Sequence, residues 1–328
     1  MQSLMDLLTG GYAAAHQWLF EAVVQPVLFA LGFASWTEPA FNATELFLIG
    51  VIEVSLLALV LGLLERWKPA EDWSADATSG RQIRVDVIYT LLGRLGVLPL
   101  LTFLLLLPVV DGIDGWLRMQ GFIPPKLEDA LPWLNEHPFV SLLMYLVILD
   151  FVAYWLHRWQ HQFEWWWALH ALHHSQRRMT FWTDNRNHLL DDVIVAAVFS
   201  LVALLIGVPP GQFVLIVVAS RVVESLSHAN IRTGFGWAES LLVSPRFHRV
   251  HHAIGLGHEG NARGCNFAVL FPVWDRLFGT ANFDHVYPPT GIRDQETGRN
   301  YGDGFWSQQW LGLRRIWRSF ASGSAARP

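Results

Sequence analysis

Long apolar runs constrain the fold of this chain more than any other feature of its sequence. A helix needs about 20 mostly apolar residues to cross the hydrocarbon core of a bilayer. Only 16% of the residues are charged, against about 25% in soluble domains. The sequence therefore predicts an all-α, multi-span membrane protein with spans at about residues 46–64, 85–110, 138–156, 189–208 and 212–228. The last two runs are separated only by Pro209-Pro210-Gly211, so we expect them to form a helical hairpin.

Three regions are expected along the chain. Residues 1–44 contain no lysine or arginine and are interrupted by charged and proline residues, so we expect an interfacial or partly inserted helical segment. Residues 45–280 are expected to hold the spans and the catalytic part of a mostly helical cytoplasmic cap. Residues 281–328 are expected to form a cytoplasmic tail that contains a basic amphipathic helix.

The distribution of lysine and arginine predicts which side of the membrane the cap occupies. In the five-span topology, 19 of the 23 basic residues lie on one side, in segments 65–84, 157–188 and 229–328. Cytoplasmic segments of membrane proteins carry an excess of basic residues. We therefore expect this side, including the C terminus, to face the cytoplasm.

Aromatic and leucine residues recur at helical spacing in the tail, with arginines off that face. They are Trp306, Trp310, Leu313, Trp317 and Phe320, and the arginines are Arg315 and Arg318. This pattern is typical of a helix on the inner membrane surface. A helix whose apolar face packs on the cap would show the same pattern, so both interpretations stay open at this point.

Eight of the 14 histidines fall in three short clusters. The clusters are His157-Arg-Trp-Gln-His161, His170-Ala-Leu-His173-His174 and His248-Arg-Val-His251-His252. Residues three and four apart share one face of a helix, so each HxxHH cluster directs two imidazoles to one point with a neighbour beside them. Imidazole suits iron, zinc and copper, and this many histidines exceed the needs of one tetrahedral zinc. The pattern predicts two octahedral metal ions with a position left for oxygen or a bridging hydroxide.

The clusters, their order and their spacing resemble the fatty acid hydroxylase/sterol desaturase superfamily of integral-membrane di-iron oxygenases. The resemblance covers about residues 150–280. It includes Asp150-x-x-Ala-Tyr-Trp-x-His157, Ser227-His228-Ala229-Asn230, His248-Arg-Val-His-His252, Asn266 and Trp274-Asp275-Arg276-Leu277-Phe278-Gly279-Thr280. It implies two iron ions, which zinc could replace in a purified preparation, and O2 as co-substrate for hydroxylation or desaturation of a lipid. It also implies a separate redox protein as electron donor.

The resemblance further implies a set of metal ligands and nearby residues. The ligands are His157, His161, His170, His173, His174, His228, His248, His251 and His252. The tenth ligand is either Glu224 or His188, and His188 is favoured, with Asp191 and Asp192 as its neighbours. Asp150 is expected to accept an N–H from a ligand histidine, while Asn266 and Asp275 either orient ligands or cap helices.

Composition argues against several other classes of protein. The single cysteine, Cys265, cannot hold an iron–sulfur cluster, and the net charge of −5 is unlike that of a nucleic-acid-binding domain. A membrane zinc hydrolase is one alternative, but it would carry His-Glu-x-x-His where this chain has Arg158. A non-enzymatic metal transporter or haem protein is another. A transporter would place its ligands at the middle of the bilayer. The particular lipid and the oligomeric state stay open.

Overall fold

The computed structural model describes residues 2–72, 77–260 and 263–322. Within these ranges the chain is helical and has no β-strand, only the isolated bridges Pro69–Ile231 and Ala253–Thr290. The helices are α1 (Gln2–Leu19), α2 (Gln25–Ala30), α3 (Thr37–Trp67), α4 (Ala77–Arg94), α5 (Val97–Met119), α6 (Leu127–Ala130), α7 (Pro138–Gln162), α8 (Glu164–His174), α9 (Leu189–Leu205), α10 (Pro210–His228), α11 (Pro245–His251), α12 (Val273–Leu277) and α13 (Phe305–Ser322). The predicted all-α membrane fold is confirmed.

Four helical segments among the described residues are long and apolar enough to cross a membrane. They are Ala34–Trp67, Val97–Met119, Pro138–Gln162 and Pro210–His228. The predicted runs 46–64, 138–156 and 212–228 lie inside three of these segments. Helix α9 covers most of the run 189–208 but has only 17 residues, about 25 Å at 1.5 Å per residue. It is therefore shorter than the apolar core of a typical bilayer.

The predicted span 85–110 is divided between two helices, which corrects the sequence interpretation. Helix α4 ends at Arg94 and α5 begins at Val97, with Gly96 between them in the left-handed region at φ 85°. Glycine adopts this conformation without a steric penalty. Gly50 of α3 lies directly against the backbone carbonyl of Arg94, where a Cβ atom would clash. The apolar count in the sequence overlooked this break because the run resumes at Val97.

A buried ionic network joins the helices to the segment between α8 and α9. Arg94 forms ion pairs with Glu53 of α3 and with Asp184, and it donates to Ser225 Oγ of α10 at 3.0 Å. Arg186 pairs with Asp86 of α4 at 2.8 Å. Charged groups in such surroundings are stable only when paired. The network therefore fixes the segment that leads from the histidines of α8 to α9.

The amphipathic helix α13 packs against α8 with its polar face. Gln308, Gln309 and Gly312 are buried on this face, where Gln309 and Gly312 contact His188, whereas Trp306 and Trp317 are each 76% exposed. The interpretation in which the aromatic face packs on the cap is therefore wrong. The exposed stripe is the face that a membrane-surface helix presents to lipid.

Candidate metal centre

Nine buried histidines form two adjoining groups where α7 and α10 end. The five-His group consists of His157, His161, His170, His174 and His251, and the four-His group consists of His173, His228, His248 and His252. Within each group, one ring nitrogen of each histidine lies within 4.8 Å of those of all the others. The two groups adjoin because the rings of His174 and His252 stack with their centroids 4.2 Å apart. Each group can therefore enclose one metal ion beside the other.

Each HxxHH cluster contributes to both groups. Helix α8 directs His170 and His174 to the five-His group and His173 to the four-His group. At α11 the assignment is reversed, since His248 and His252 join the four-His group and His251 joins the five-His group. Residues four apart share a helix face, whereas adjacent residues are rotated by about 100°. The spacing therefore produces the division between the groups.

Local sequence signals place α11 at the site. Ser244 accepts a hydrogen bond from Phe247 N at 3.1 Å, and Pro245 occupies the first helical position. Serine and proline are both favoured at these positions of a helix N terminus. The helix is short, so all three of its histidines are held within about two turns of this cap.

Two backbone carbonyls orient rings of the five-His group. His157 Nδ1 lies 2.8 Å from Phe267 O, and His251 Nδ1 lies 2.7 Å from Cys265 O. A carbonyl oxygen only accepts, so each Nδ1 carries the proton and each Nε2 keeps a lone pair for a metal ion. Outer partners of this kind fix the tautomer and orientation of ligand histidines.

Asp191 orients a third ring of the five-His group, and the sequence argument missed this role. Its Oδ2 atom accepts from His170 Nδ1 at 3.2 Å, and its Oδ1 atom accepts from Gln160 Nε2 at 2.9 Å and Trp166 Nε1 at 2.6 Å. The available signal was an acidic residue in the first turn of the helix that follows the second histidine cluster. The sequence alone instead predicts Asp191 as a neighbour of His188.

Asp275 and Asn266 shape the loop that carries the two orienting carbonyls. Asp275 accepts from Phe267 N and Ala268 N, both at 2.8 Å, and from Thr280 Oγ1 at 2.6 Å. Asn266 has φ 58°, in the left-handed region that asparagine tolerates, and its Nδ2 donates to Phe247 O at 2.9 Å. Both residues act on the histidines through the backbone and do not contact the ring nitrogens of either group.

Asp150 has a different role from the predicted one. Its carboxylate accepts from Leu270 N at 2.9 Å, Phe271 N at 3.1 Å and Trp274 Nε1 at 2.8 Å. No described histidine donates to it. Asp150 therefore fastens α7 to the segment that leads into α12, and it supports the carbonyl-bearing loop from the membrane side.

Neither candidate for a tenth ligand lies in either group. His188 Nε2 lies 2.9 Å from Gln309 O, and His188 Nδ1 accepts from Leu190 N at 3.1 Å as the N-cap of α9. Both ring nitrogens are thus used within the protein, which corrects the choice of His188. Glu224 contributes its backbone carbonyl, which lies 2.8 Å from His228 Nδ1. The structure brings nine of the ten predicted ligands together.

His258 lies beside the five-His group without belonging to it. Its ring stacks on Trp167 with centroids 3.5 Å apart and lies 5.6 Å from the ring of His161. Burial lowers the pKa of His258 to about 4, so this ring is neutral near pH 7.

The donor set fits metal ions. In the described part of the chain, both ring nitrogens of His161 and Nε2 of His170 are buried without a hydrogen-bond partner. An unsatisfied buried polar atom is costly, and a metal ion would remove that cost. Burial lowers the pKa of His251 to about 3 and lowers the pKa of His173, His174, His248 and His252 well below the ordinary value. The rings are therefore in the neutral form that binds metal.

Comparison with known proteins agrees with this geometry. Residues 142–280 match the family described as fatty acid hydroxylase. The ornithine lipid hydroxylase of Rhizobium tropici is 28% identical over 272 residues, which is 82% of this chain and 76% of that protein. Human alkylglycerol monooxygenase is 31% identical over 153 residues, 46% of this chain but only 32% of the relative. A Delta(7)-sterol 5(6)-desaturase of Gibberella zeae is 23% identical over 180 residues, 53% of this chain and 52% of the relative. No solved structure matches the chain.

The fold and the site define a helical membrane protein with a histidine-lined metal-binding centre. The names of its relatives all denote oxidoreductases, and this chain is an oxidoreductase too. Residues 142–280 form a domain of the fatty acid hydroxylase family, and the relatives of the chain include lipid hydroxylases, monooxygenases and a sterol desaturase.

Proposed function

We propose that this protein is a di-iron oxygenase that uses O2 and two external electrons to hydroxylate an unactivated C–H bond of a membrane lipid. The observation that carries the proposal is the pair of adjoining all-histidine groups at the ends of apolar helices. Hydroxylation is favoured over desaturation because the relative that spans 82% of the chain is named a lipid hydroxylase.

The ligand set supports iron in both groups. Iron supplies the one-electron and O2 chemistry that the reaction needs, whereas zinc would fill the same imidazoles without redox activity. A six-coordinate ion bound by five imidazoles keeps one open position, and one bound by four keeps two. Both ions would therefore have room for a further ligand on the side that the protein leaves free.

The chain's own contribution is to hold, orient and enclose the ligands. Burial keeps the imidazoles neutral, and the partners of His157, His170 and His251 direct each Nε2 toward the centre of the group. Phe267 and Trp167 cover His161, with ring centroids 5.2 and 4.9 Å away. These aromatic walls exclude water, which protects an oxidising site from side reactions.

We place the metal centre and the C terminus on the cytoplasmic side. The placement is supported by the 19 of 23 basic residues on that side of the predicted topology. The electron donor is a separate redox protein, since one cysteine cannot hold an iron–sulfur cluster. No nucleic acid is expected to take part.

The alternative functions receive less support. A zinc hydrolase needs a glutamate general base beside the first histidine, but Arg158 occupies that position and its Nη1 donates to Tyr154 OH at 3.1 Å. A haem protein needs only two axial histidines, whereas nine converge here.

Lipid mass spectrometry of cells that express the protein tests the proposal. The wild-type chain should produce a lipid heavier by one oxygen, whereas desaturation would remove two hydrogens. His173→Ala should abolish the product because it removes a ligand of the four-His group. His137→Ala is the matched control, since His137 is exposed and outside both groups. A product that persists in His173→Ala would overturn the assignment of the metal site.

A further inference from the structure

A basic cavity of about 300 Å³ lies between α8 and α13. Four arginines line it, namely Arg299, Arg314, Arg315 and Arg318. Glu164 is the one acidic residue among its described lining residues, and it pairs with Arg263 at 2.9 Å. The cavity therefore carries an excess of positive charge. Trp167 forms part of the same wall.

Arg315 is a half-buried cation with unused hydrogen-bond donors. Its Nε donates to Ala168 O at 3.0 Å, and its guanidinium lies 4.6 Å from the centroid of the Tyr301 ring. Both terminal Nη atoms are buried and have no hydrogen-bond partner among the residues that the structure describes. Burial lowers the pKa of Arg315 to about 10, so the group still carries its charge at pH 7. The charge of Asp294 also acts on Arg315, but Asp294 already pairs with Arg299 at 3.1 Å. Buried N–H donors without a partner are destabilising, which indicates that an anionic ligand completes this site.

The geometry of the arginines favours a phosphate group. The planar guanidinium binds phosphate oxygens through two parallel N–H donors. Arg314 and Arg318 are four residues apart on α13 and so project from the same side of the helix. Together with Arg315 they offer donors from one helix to a single small anion. A cavity of about 300 Å³ is in the size range of small-ligand sites.

We propose that this cavity binds the phosphate of an anionic membrane lipid. Helix α13 exposes Trp306, Trp310 and Trp317 on one face, which is the face that an interfacial helix inserts into the bilayer. By helical geometry, Arg314 and Arg318 lie between this face and the buried face that packs on α8. Residues at that boundary of an interfacial helix lie at the depth of lipid headgroups. The proposal does not depend on the metal centre, because lipid retention can be measured without enzyme turnover.

The test uses the full-length protein in nanodiscs of phosphatidylcholine containing a minor fraction of phosphatidylglycerol. Native mass spectrometry then counts the phosphatidylglycerol molecules that stay bound after release. The Arg314→Gln/Arg318→Gln variant should retain at least about tenfold less phosphatidylglycerol than the wild type, because each substitution removes a charge-assisted hydrogen bond. Arg81→Gln is the matched control, since Arg81 is exposed on α4 and lies outside the cavity.

A single variant and a competition with inorganic phosphate complete the test of the proposed lipid site. The single variant Arg314→Gln changes only an exposed side chain and should fold correctly. If the double variant is unstable, reduced phosphatidylglycerol retention in this single variant supports lipid binding in the cavity. Equal retention in the wild type and both cavity variants would overturn the proposal. In the discs that contain phosphatidylglycerol, added inorganic phosphate should displace only a small part of the retained phosphatidylglycerol. Phosphate or polyglutamate that binds at the arginines without any preference for phosphatidylglycerol would also overturn the lipid assignment.

Discussion

The two histidine groups differ in how firmly the protein orients their rings. In the five-His group, three rings donate to groups outside their own helices, namely Phe267 O, Cys265 O and Asp191 Oδ2. In the four-His group, only His228 Nδ1 has a partner outside the group among the described residues, and that partner is the carbonyl of Glu224 in the same helix. The Nδ1 atoms of His173, His248 and His252 are buried without a partner in the described part of the protein.

This difference indicates for which group the affinity for a metal ion depends more on the surrounding protein. Outer partners that orient a ligand histidine contribute about 10–100-fold to metal affinity. The five-His group is therefore preorganised, whereas the four-His group relies on the metal ion itself to order its rings. We expect the ion in the four-His group to bind more weakly and to be removed first by a chelator.

Two variants, each lacking one ligand in one of the groups, should show the largest effect on activity. The comparison between the groups would fail if only one of them were needed for activity. His174→Ala in the five-His group and His252→Ala in the four-His group should each reduce product by more than about 100-fold, since even an outer partner is worth 10–100-fold. The measurement is lipid product together with bound metal. Metal analysis should show the loss of about one ion in each variant, from the five-His group in His174→Ala and from the four-His group in His252→Ala. Normal product from either variant would show that one ion suffices.

Asp191→Asn sharpens the comparison by weakening only the five-His group. The amide binds His170 Nδ1–H less strongly than the carboxylate does, so metal affinity should fall by about 10–100-fold. Titration of metal-free protein with Fe²⁺ measures this change. Asp192→Asn is the matched control, because Asp192 is the next residue along α9 and forms no hydrogen bond to either histidine group. Equal losses in both variants would point to disturbance of α9 rather than of His170.

Acid should destabilise the metal-free protein, and this effect should be smaller than those of the substitutions described above. Burial lowers the pKa of the cap histidines in the folded state, to about 3 for His251, while the unfolded value is about 6.5. The unfolded chain therefore binds more protons below that value, so stability is complete above about pH 6.5 and is lost as the pH falls toward 3. The midpoint of thermal denaturation of the metal-free protein in detergent, followed from pH 8 to pH 4, measures the effect. A midpoint that does not change over this range would contradict the burial of neutral imidazoles.

His188→Ala should have the smallest effect and tests the boundary of both groups. Its ring is bonded to Gln309 O and Leu190 N and packs on Gly312 of α13. The variant should keep its full metal content but lose the α9 cap and part of the contact with α13, so its thermal midpoint should fall by a few degrees, about 1 kcal/mol for the cap. Metal analysis and a melting curve separate the two roles. Loss of an ion from this variant would return His188 to the ligand set.

Much of the site could be predicted because its key contacts are local in sequence. The spacing within each HxxHH cluster determines which rings share a helix face, and the resemblance added His228. The roles of Asp191 and His188 could not be separated in this way. His188 contacts Gln309, more than a hundred residues away, and only the packing of α13 shows that its nitrogens are occupied.

The apolar pattern predicted the membrane character of the fold but not every helix boundary. The length of an apolar run does not show a short helix break such as the one at Gly96, where a positive φ separates α4 from α5. Hydropathy likewise could not decide between the two interpretations of α13, because both place the same residues on one face. The exposure of Trp306 and Trp317 rules out packing of that face on the described part of the protein, and the membrane-surface position of α13 stays a prediction.

The crossed contributions of α8 and α11 have a mechanical consequence. Each of these segments supplies histidines to both groups, so neither segment can tilt or slide without displacing rings of both groups at once. The separation between two bound ions would therefore depend on the rotation per residue of a helix. Substitutions in the surrounding loops do not change that rotation. A substitution on the lipid-facing surface could therefore reposition a substrate carbon without changing the spacing between the two groups.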